Sequence, residues 1–188
     1  MTKFLKLLVL TFMFAAFGAV AFAHSDRETI TEGADLSSVH RIALGWPLYI
    51  KAEETDLSDR EVIETVFGAS KVARTYVISY DDAVKNIKSS NKVDISVLDK
   101  KKAAAEFKKY IKNHADAYVI LTVANNSRLT LFFDVYQAGT DNLLYTYQIE
   151  ANRSDKSTKP TYNTLSEQFY KHFERAANEQ QKKNAKKN

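Results

Sequence analysis

The sequence predicts an α/β fold (α+β mixed) with a single mixed sheet and the element order β-α-β-α-α-β-β-β-α. In the first half of the chain, apolar and β-branched runs alternate with segments of helical periodicity. Three strand-like runs then follow one another through short polar turns, which makes them antiparallel neighbours. A final helix with an apolar stripe is expected to pack on this C-terminal meander.

The first half is predicted to hold two strands and three helices. Residues 39–50 form an apolar run, which Pro47 ends or places at a sheet edge. Ser58 and Glu61 fit a capping box for a helix that stops near Gly68. Residues 92–99 are ambiguous. The other elements are a strand over 72–80, a short helix capped by Asp81 or Asp82 with Val84 and Ile87 as apolar positions, and a helix over 99–113 with Ala104, Phe107 and Ile111 on one face.

The second half is predicted to be a three-stranded meander and a helix. Its strands span 117–124, 128–137 and 143–150, and the first is apolar on both faces, which indicates a central position. Thr164 and Glu167 are the capping-box candidate for the final helix. Its apolar stripe consists of Leu165, Phe169, Phe173, Ala176 and Ala177.

Residues 1–23 have the pattern of a secretory signal peptide. Lys3 and Lys6 precede a long apolar stretch, and the small residues of 21–23 suit a signal peptidase. We therefore expect cleavage before His24 and a location in the periplasm or outside the cell, with no transmembrane span after cleavage. An uncleaved membrane anchor is the alternative, although the apolar stretch is at the lower length limit for one.

Positive charge is concentrated at the two ends of the chain. The protein has 27 basic and 23 acidic residues; the leader holds two of the basic ones and the Lys-rich tail over 182–188 holds four, which leaves 21 in residues 24–181. Because the folded part is slightly acidic, a nucleic-acid partner is not expected. We expect a flexible lead-in over 24–37 and a single α/β domain over 38–181.

Several chemistries are excluded by composition and spacing. The chain has no cysteine, so disulfides and thiolate catalysis are excluded, and its five glycines are too far apart for a phosphate-binding loop. His40, His114 and His172 form no metal-binding pair and are expected to be structural or surface residues. We predict no catalytic residue, no metal and no cofactor, with copper at an N-terminal His24 as a minor alternative.

Acidic residues give no clear catalytic pair. Glu53-Glu54 and Asp81-Asp82 are neighbours in sequence, as in a loop and a helix cap, whereas a glycosidase pair converges from separate elements. Asp134 is the most notable acid, because it lies in mid-strand among aromatic residues. It needs a partner if its face is buried and is ordinary if that face is exposed.

Tyrosines on the predicted strands provide the candidate interaction surface. The candidate residues are Tyr118, Asp134, Tyr136, Tyr145 and Tyr147. A tyrosine-lined sheet face suits a protein or glycan partner, but tyrosines with solvated hydroxyls also form the rim of many cores.

Short runs along the chain resemble a class of exported envelope domains. These runs are VHRIALGWP (39–47), HADAYVILTV (114–123), LFFDVY (131–136), Gly139-Thr140 and LYTY (144–147). They are similar to the amino-terminal domain of TolB and to CsgG-like curli-secretion proteins. The resemblance implies a compact α/β adaptor or subunit of an envelope assembly without catalysis. It does not extend to a lipobox cysteine or a propeller, so neither pore formation nor a TolB partner is implied.

The leading hypothesis is therefore an exported, non-enzymatic domain that binds an envelope or extracellular protein. The first alternative is a small-molecule or glycan-binding domain that uses a tyrosine-rich sheet face. The second is a hydrolase built from dispersed residues such as Asp134 and His114, because sequence spacing does not exclude a cluster in space.

Overall fold

The computed structural model describes residues 25–50, 57–125 and 127–186. Its strands are β1 (Ser25–Ile30), β2 (Arg41–Leu44), β3 (Leu48–Ile50), β4 (Tyr76–Ile78), β5 (Ala117–Asn125), β6 (Leu129–Gln137) and β7 (Leu143–Glu150). Its α-helices are α1 (Asp59–Ala69), α2 (Tyr80–Asn91), α3 (Lys100–Ile111) and α4 (Lys159–Ala185). The leader, His24, Glu53, Glu54 and the last two residues of the predicted tail lie outside the described residues.

All strands of the described ranges belong to one mixed sheet in the order β1-β7-β6-β5-β2-β4, with β3 also paired to β5. β2 is parallel to β4 and β5, and β3 is parallel to β5. β5, β6, β7 and β1 are antiparallel neighbours. The predicted mixed sheet, its C-terminal meander and the central place of β5 are confirmed.

The helices lie on both sides of the sheet because the chain reverses its direction across it. From β2 it moves outward through α1 to β4, and it then returns through α2 and α3 to β5 on the other side of β2. Right-handed crossovers in opposite directions place their helices on opposite faces. Accordingly, α1 shares a core with α4, whereas α2 and α3 form a second core against β2, β4 and β5.

The core shared by α1 and α4 follows the predicted apolar stripes. From the sheet it receives the buried side chains of every second residue of β6, from Leu129 to Val135. From α4 it receives Leu165, Phe169 and Phe173, and the rings of Phe133 and Phe169 stack with centroids 4.3 Å apart. The final helix thus packs on the meander as predicted.

The predicted lead-in over 24–37 holds β1, where the sequence pattern indicates no element. All six residues of β1 are exposed, so the strand has no alternation of buried and exposed positions that could reveal it. It pairs with β7 from Ser25↔Glu150 to Ile30↔Tyr145. The pairing partner lies more than a hundred residues away, and local sequence carries no sign of it.

The predicted strand over 39–50 is divided into β2 and β3. Gly45 lies at the break, and a Cβ atom there would stand 2.5 Å from the Ile120 side chain and 3.2 Å from the Val119 carbonyl oxygen. Its amide donates to that carbonyl at 2.8 Å. The glycine therefore permits the close approach that lets β2 and β3 pair in succession with β5.

The helix ends differ from the predictions in several details. The Ser58–Glu61 capping box of α1 is present, and Asp99 caps α3. Ser79, and neither Asp81 nor Asp82, caps α2, because β4 covers only part of the predicted 72–80 strand and ends before that serine. In α3, Ala104 is exposed while Phe107 and Ile111 are buried.

The final helix begins earlier than its predicted cap. α4 starts at Lys159 after Thr158, with Pro160 in the first turn, where a missing amide hydrogen costs nothing. Thr164 and Glu167 lie inside the helix, so the second predicted capping box is wrong. The helix continues to Ala185 and includes the start of the predicted tail.

Candidate functional site

The structure divides the five candidate surface residues between the two faces of the sheet. Tyr145 and Tyr147 lie on the face packed by α4 and are 0% exposed. Tyr118, Asp134 and Tyr136 lie on the opposite face, since neighbouring residues along a strand alternate between faces. Tyr118 is buried there, whereas Asp134 and Tyr136 are half-buried. A single tyrosine-lined surface is therefore not formed.

The hydroxyls of the two core tyrosines bind carboxylates of β1. Tyr147 donates to Asp26 Oδ2 at 2.9 Å, and Tyr145 donates to Glu28 Oε2 at 3.0 Å. The His172 ring of α4 lies between the same carboxylates, with Nε2 3.2 Å from Asp26 and Nδ1 3.1 Å from Glu28. These groups and Arg175 form what we call the carboxylate cluster.

Arg175 completes the carboxylate cluster from the solvent side. Its Nη2 atom lies 2.8 Å from Glu28 Oε1 and 3.0 Å from His172 Nδ1. Burial alone would raise the pKa of the Glu28 carboxyl, but hydrogen bonds from the imidazole, the Tyr145 hydroxyl and the guanidinium hold that pKa below its ordinary value. Glu28 is thus held in its ionised form.

The same contacts act on the two tyrosines. Burial, followed by the charge of Glu28, raises the pKa of Tyr145. Burial and the hydrogen bond to Asp26 raise the pKa of Tyr147. Both hydroxyls therefore remain protonated donors, and the cluster functions as a clamp that holds β1 to β7 and α4.

The sequence gives only a partial signal for this cluster. Asp26 and Glu28 have the i, i+2 spacing that places both side chains on one face of a strand, and His172 and Arg175 have the i, i+3 spacing of neighbours on a helix. Nothing in the local pattern connects the two pairs, because β1 and α4 are brought together only by the tertiary fold.

An aromatic row follows the opposite face of the sheet. Trp46 contacts Tyr80, Tyr80 stacks on Phe107, Phe107 contacts Tyr118, and Tyr118 stacks on Tyr136, with centroid distances of 5.0, 5.9, 6.1 and 5.3 Å. The row starts just after β2, continues through Tyr80 of α2 and Phe107 of α3, and ends on β5 and β6. Burial and the charge of Asp141 raise the pKa of Tyr118 to about 12. Most of these ring surfaces are used in packing, which makes the row part of the second core.

Beyond the aromatic row, the sheet is not covered by a described helix. Register places Leu48, Thr122, Phe132 and Gln148 in one line across four strands, and Ile50 beside Ala124 in the next. Leu48 is 56% and Ile50 54% exposed. We call these six residues the open face. This part of the sheet combines apolar side chains, hydrogen-bonding groups and access to solvent.

Asp134 and His114 do not meet in a site among the described contacts. The Asp134 carboxylate accepts from the Thr146 hydroxyl at 2.7 Å on the half-buried face of the meander. His114 follows α3, and its buried Nε2 has no hydrogen-bond partner. The structure thus gives Asp134 a neutral neighbour and no attached imidazole.

The described residues have three further features. No three of their His, Asp or Glu side chains form a group that could hold a metal ion. None of the described helices is long and apolar enough to cross a bilayer. An open groove of about 810 Å³ borders the loop after β1, with Glu32, Asp35 and Asp141 among its lining residues.

Comparison with known proteins gives likenesses of structure only. No protein-family model matches the chain. No curated protein matches it in sequence. Among solved structures, the PelC dodecamer of Paraburkholderia phytofirmans matches with a TM-score of 0.47 and 7% identity, over 81% of this chain and 98% of that one. The C-terminal domain of Escherichia coli LpoB matches with a TM-score of 0.47 and 12% identity, over 65% of this chain and 87% of that one. At these values, neither likeness assigns a function to the chain.

Proposed function

We propose that the chain is an exported, non-enzymatic domain that acts as an adaptor or interaction subunit in the cell envelope. Its partner is a protein that binds the open face. The observation that carries the proposal is the exposure of Leu48 and Ile50, in register with Thr122 and Phe132, on a region of sheet that no described helix covers. Adjacent exposed apolar side chains of this kind mark contact sites more often than scattered ones.

The composition of the open face favours a protein surface as its occupant. Leu48, Ile50 and Phe132 supply apolar contact, while Thr122 and Gln148 alternate with them as hydrogen-bonding groups. Protein interfaces have this mixture of an apolar centre and polar surroundings. β3 also has a free outer edge in the described residues, since it pairs only with β5. That edge offers backbone groups to a partner strand.

The alternatives from the sequence have less support. A glycan-binding face needs exposed aromatic rings, but Tyr118, Tyr145 and Tyr147 are buried, which leaves Tyr136 and Phe132 as half-buried rings. A hydrolase needs a base near its nucleophile or acid. Asp134 contacts Thr146 instead.

Crosslinking and affinity capture from the envelope fraction of the source cell test the proposed function. The variants Leu48→Lys and Ile50→Lys place charge on the open face at positions that are more than half exposed, so they leave the core intact. Val97→Lys makes a similar chemical change at a residue that is 77% exposed and lies in the short 3-10 helix between α2 and α3, not on the open face.

We expect a protein that is captured by the wild type and by Val97→Lys and is lost with both open-face variants. Capture that is equal for all variants, or no specific capture by the wild type, contradicts binding through the open face. Circular dichroism of each variant confirms that the fold is retained before the comparison is made.

Export is tested separately by intact-mass measurement of the protein recovered from the cell. Cleavage at the predicted site gives a chain that starts at His24. A mass that corresponds to another start refutes this boundary, and a full-length mass supports the alternative of an anchor.

A further inference from the structure

We infer that β1 is an exchangeable strand, and that the site between β7 and α4 also binds β1 of a second copy of this chain. The inference goes beyond the proposed function, because it concerns the far edge of the sheet and a partner of identical sequence. It is carried by three features: the way β1 is attached, the groups that receive it, and the loop that follows it.

The attachment of β1 depends on backbone pairing and charge, with little apolar burial. Each of its six residues is exposed, and its one large apolar side chain, Ile30, is 39% exposed. Removal of β1 therefore takes no side chain of β1 out of an apolar core. It breaks the ladder with β7 and the contacts of Asp26 and Glu28.

The receiving side is a preformed site for two carboxylates on alternate residues of a strand. β7 supplies the hydroxyls of Tyr145 and Tyr147, whose rings are fixed in the core, and α4 supplies the His172 imidazole and the Arg175 guanidinium. A strand that binds here needs an acidic residue at two positions spaced i, i+2. β1 of a second copy meets this requirement in every contact, because its sequence is the same.

The loop after β1 has the structure of a hinge. Residues 31–34 form a turn closed by one backbone hydrogen bond, from the Ala34 amide to the Thr31 carbonyl at 3.0 Å. Gly33 occupies the left-handed region in this turn, with φ of 78° and open space around its Cβ position. The turn is attached at both ends: the Thr31 amide donates to the Leu144 carbonyl, and Gln180 bonds to the Ala34 carbonyl and the Leu36 amide. The loop borders the open groove of about 810 Å³, so it can straighten without opening a packed core.

Exchange conserves the contacts of β1, because each strand makes the same ladder and the same ion pairs in the other copy. The balance between the closed and exchanged forms is then set by the protein concentration and by the conformational preference of the hinge. In a reciprocal pair, both sheets retain a covered β7 edge.

Mixed single-cysteine variants test the inference, and the natural chain contributes no cysteine of its own. Arg27 and Gln148 face each other in the β1–β7 ladder, on the side away from Asp26 and Glu28. A chain with Arg27→Cys and a chain of different mass with Gln148→Cys are unfolded together, refolded at high concentration and oxidised. A disulfide between them requires β1 of one copy to pair with β7 of the other.

We expect this heterodimer to form well above the yield of the control mixture of Val97→Cys with Gln148→Cys. Its yield falls when Asp26→Asn and Glu28→Gln are added to the chain that has Arg27→Cys, because that strand then competes poorly with the natural β1 of its partner. A heterodimer yield no higher than that of the control mixture overturns the inference. So does a yield that is unaffected by the loss of the two carboxylates.

The hinge provides an independent measurement by light scattering on the full chain. Gly33→Val makes the left-handed turn unfavourable and favours an extended hinge, so the ratio of dimer to monomer is expected to rise about tenfold. Gly68→Ala is the matched control, since Gly68 lies in α1 with open space around its Cβ position. An unchanged dimer fraction in Gly33→Val contradicts the role of this loop as the hinge.

Discussion

The two faces of the sheet are closed in different ways. On the side of α4, Phe133 and Tyr147 contact Phe169, which in turn contacts Phe173, and all of these side chains are buried. On the other side, α2 and α3 cover β2, β4 and the start of β5, and Leu48 remains more than half exposed. We call the side packed by α1 and α4 the covered face, because helices cover it along the meander. The opposite side consists of the second core and, next to it, the open face.

This difference follows from the order of the elements. Each parallel connection in the first half brings a helix to the sheet, whereas the turns of the meander bring none. The single helix after β7 is therefore left to cover the meander, and it can cover only one face. Four predictions, in order of decreasing effect, test this contrast between the faces.

The largest effect is expected for Phe169→Ala on the covered face. The ring is fully buried and stacks on Phe133 at an interplanar angle of 5°. Its loss should lower the free energy of unfolding by about 3–5 kcal/mol, measured by urea denaturation. The matched change on the open face, Phe132→Ala, should cost about 1 kcal/mol or less. Equal losses would show that the open face is packed as tightly as the covered one.

The second prediction concerns the carboxylate cluster, which holds β1 at the edge of the covered face. Glu28→Gln should lower the free energy of unfolding by about 1–2 kcal/mol near neutral pH, since the carboxylate accepts charge-assisted hydrogen bonds. Because the folded-state pKa of Glu28 lies below its ordinary value of 4.5, this contribution is present above that value and is lost as the pH falls through the folded pKa.

Urea midpoints of wild type and Glu28→Gln at a series of pH values check this sign. The two proteins should differ near neutral pH and converge in acid. Glu32→Gln, the same change in the exposed loop after β1, should have little effect at any pH. A difference that grows on acidification contradicts the proposed clamp.

The third prediction compares α1 and α4, the two helices of the covered face, at their predicted N-terminal caps. Ser58→Ala removes the acceptor for the Glu61 amide and should cost about 1 kcal/mol in unfolding free energy. Thr164→Ala lies at an exposed position inside α4 and should be neutral or slightly stabilising. Thermal denaturation of both variants measures the contrast, and a cost for Thr164→Ala that matches Ser58→Ala would restore the second capping box.

The smallest expected effect has the opposite sign. Ser166 is 0% exposed in the covered core, and its hydroxyl has no hydrogen-bond partner. Ser166→Ala removes a buried polar group without leaving another one unpaired, so the free energy of unfolding should stay constant or rise by up to about 1 kcal/mol. A clear destabilisation in urea would indicate that the hydroxyl makes a contact that its neighbours depend on.

The sequence predicts the covered face better than the rest of the molecule. The alternation of β6 and the stripe with Phe169 and Phe173 are regular, because both elements bury one side throughout their length. The predicted start of α4 at Thr164 is wrong, since a sequence motif for capping does not show whether the helix has already begun.

The candidate surface was harder to predict. Alternation along β7 places Tyr145 and Tyr147 on the same side of the strand. Only the position of α4 decides that this side is the buried one. The open face depends on the pairing of Leu48 with Thr122 and of Thr122 with Phe132, which are contacts between distant segments. β1 has no apolar pattern, so its place beside β7 follows from the tertiary structure alone.

The packing of β1 against β7 and α4 determines when this chain can complete its fold. Ser25 pairs with Glu150, and the Leu36 amide donates to Gln180, 144 residues further along the chain. Loops of this length are costly to close before the contacts that reward them are made, which slows folding. During synthesis the covered core cannot be completed until α4 has emerged, and β1, the first of the described strands to be made, must wait for it. Folding of the covered core is thus delayed until α4 has been synthesised.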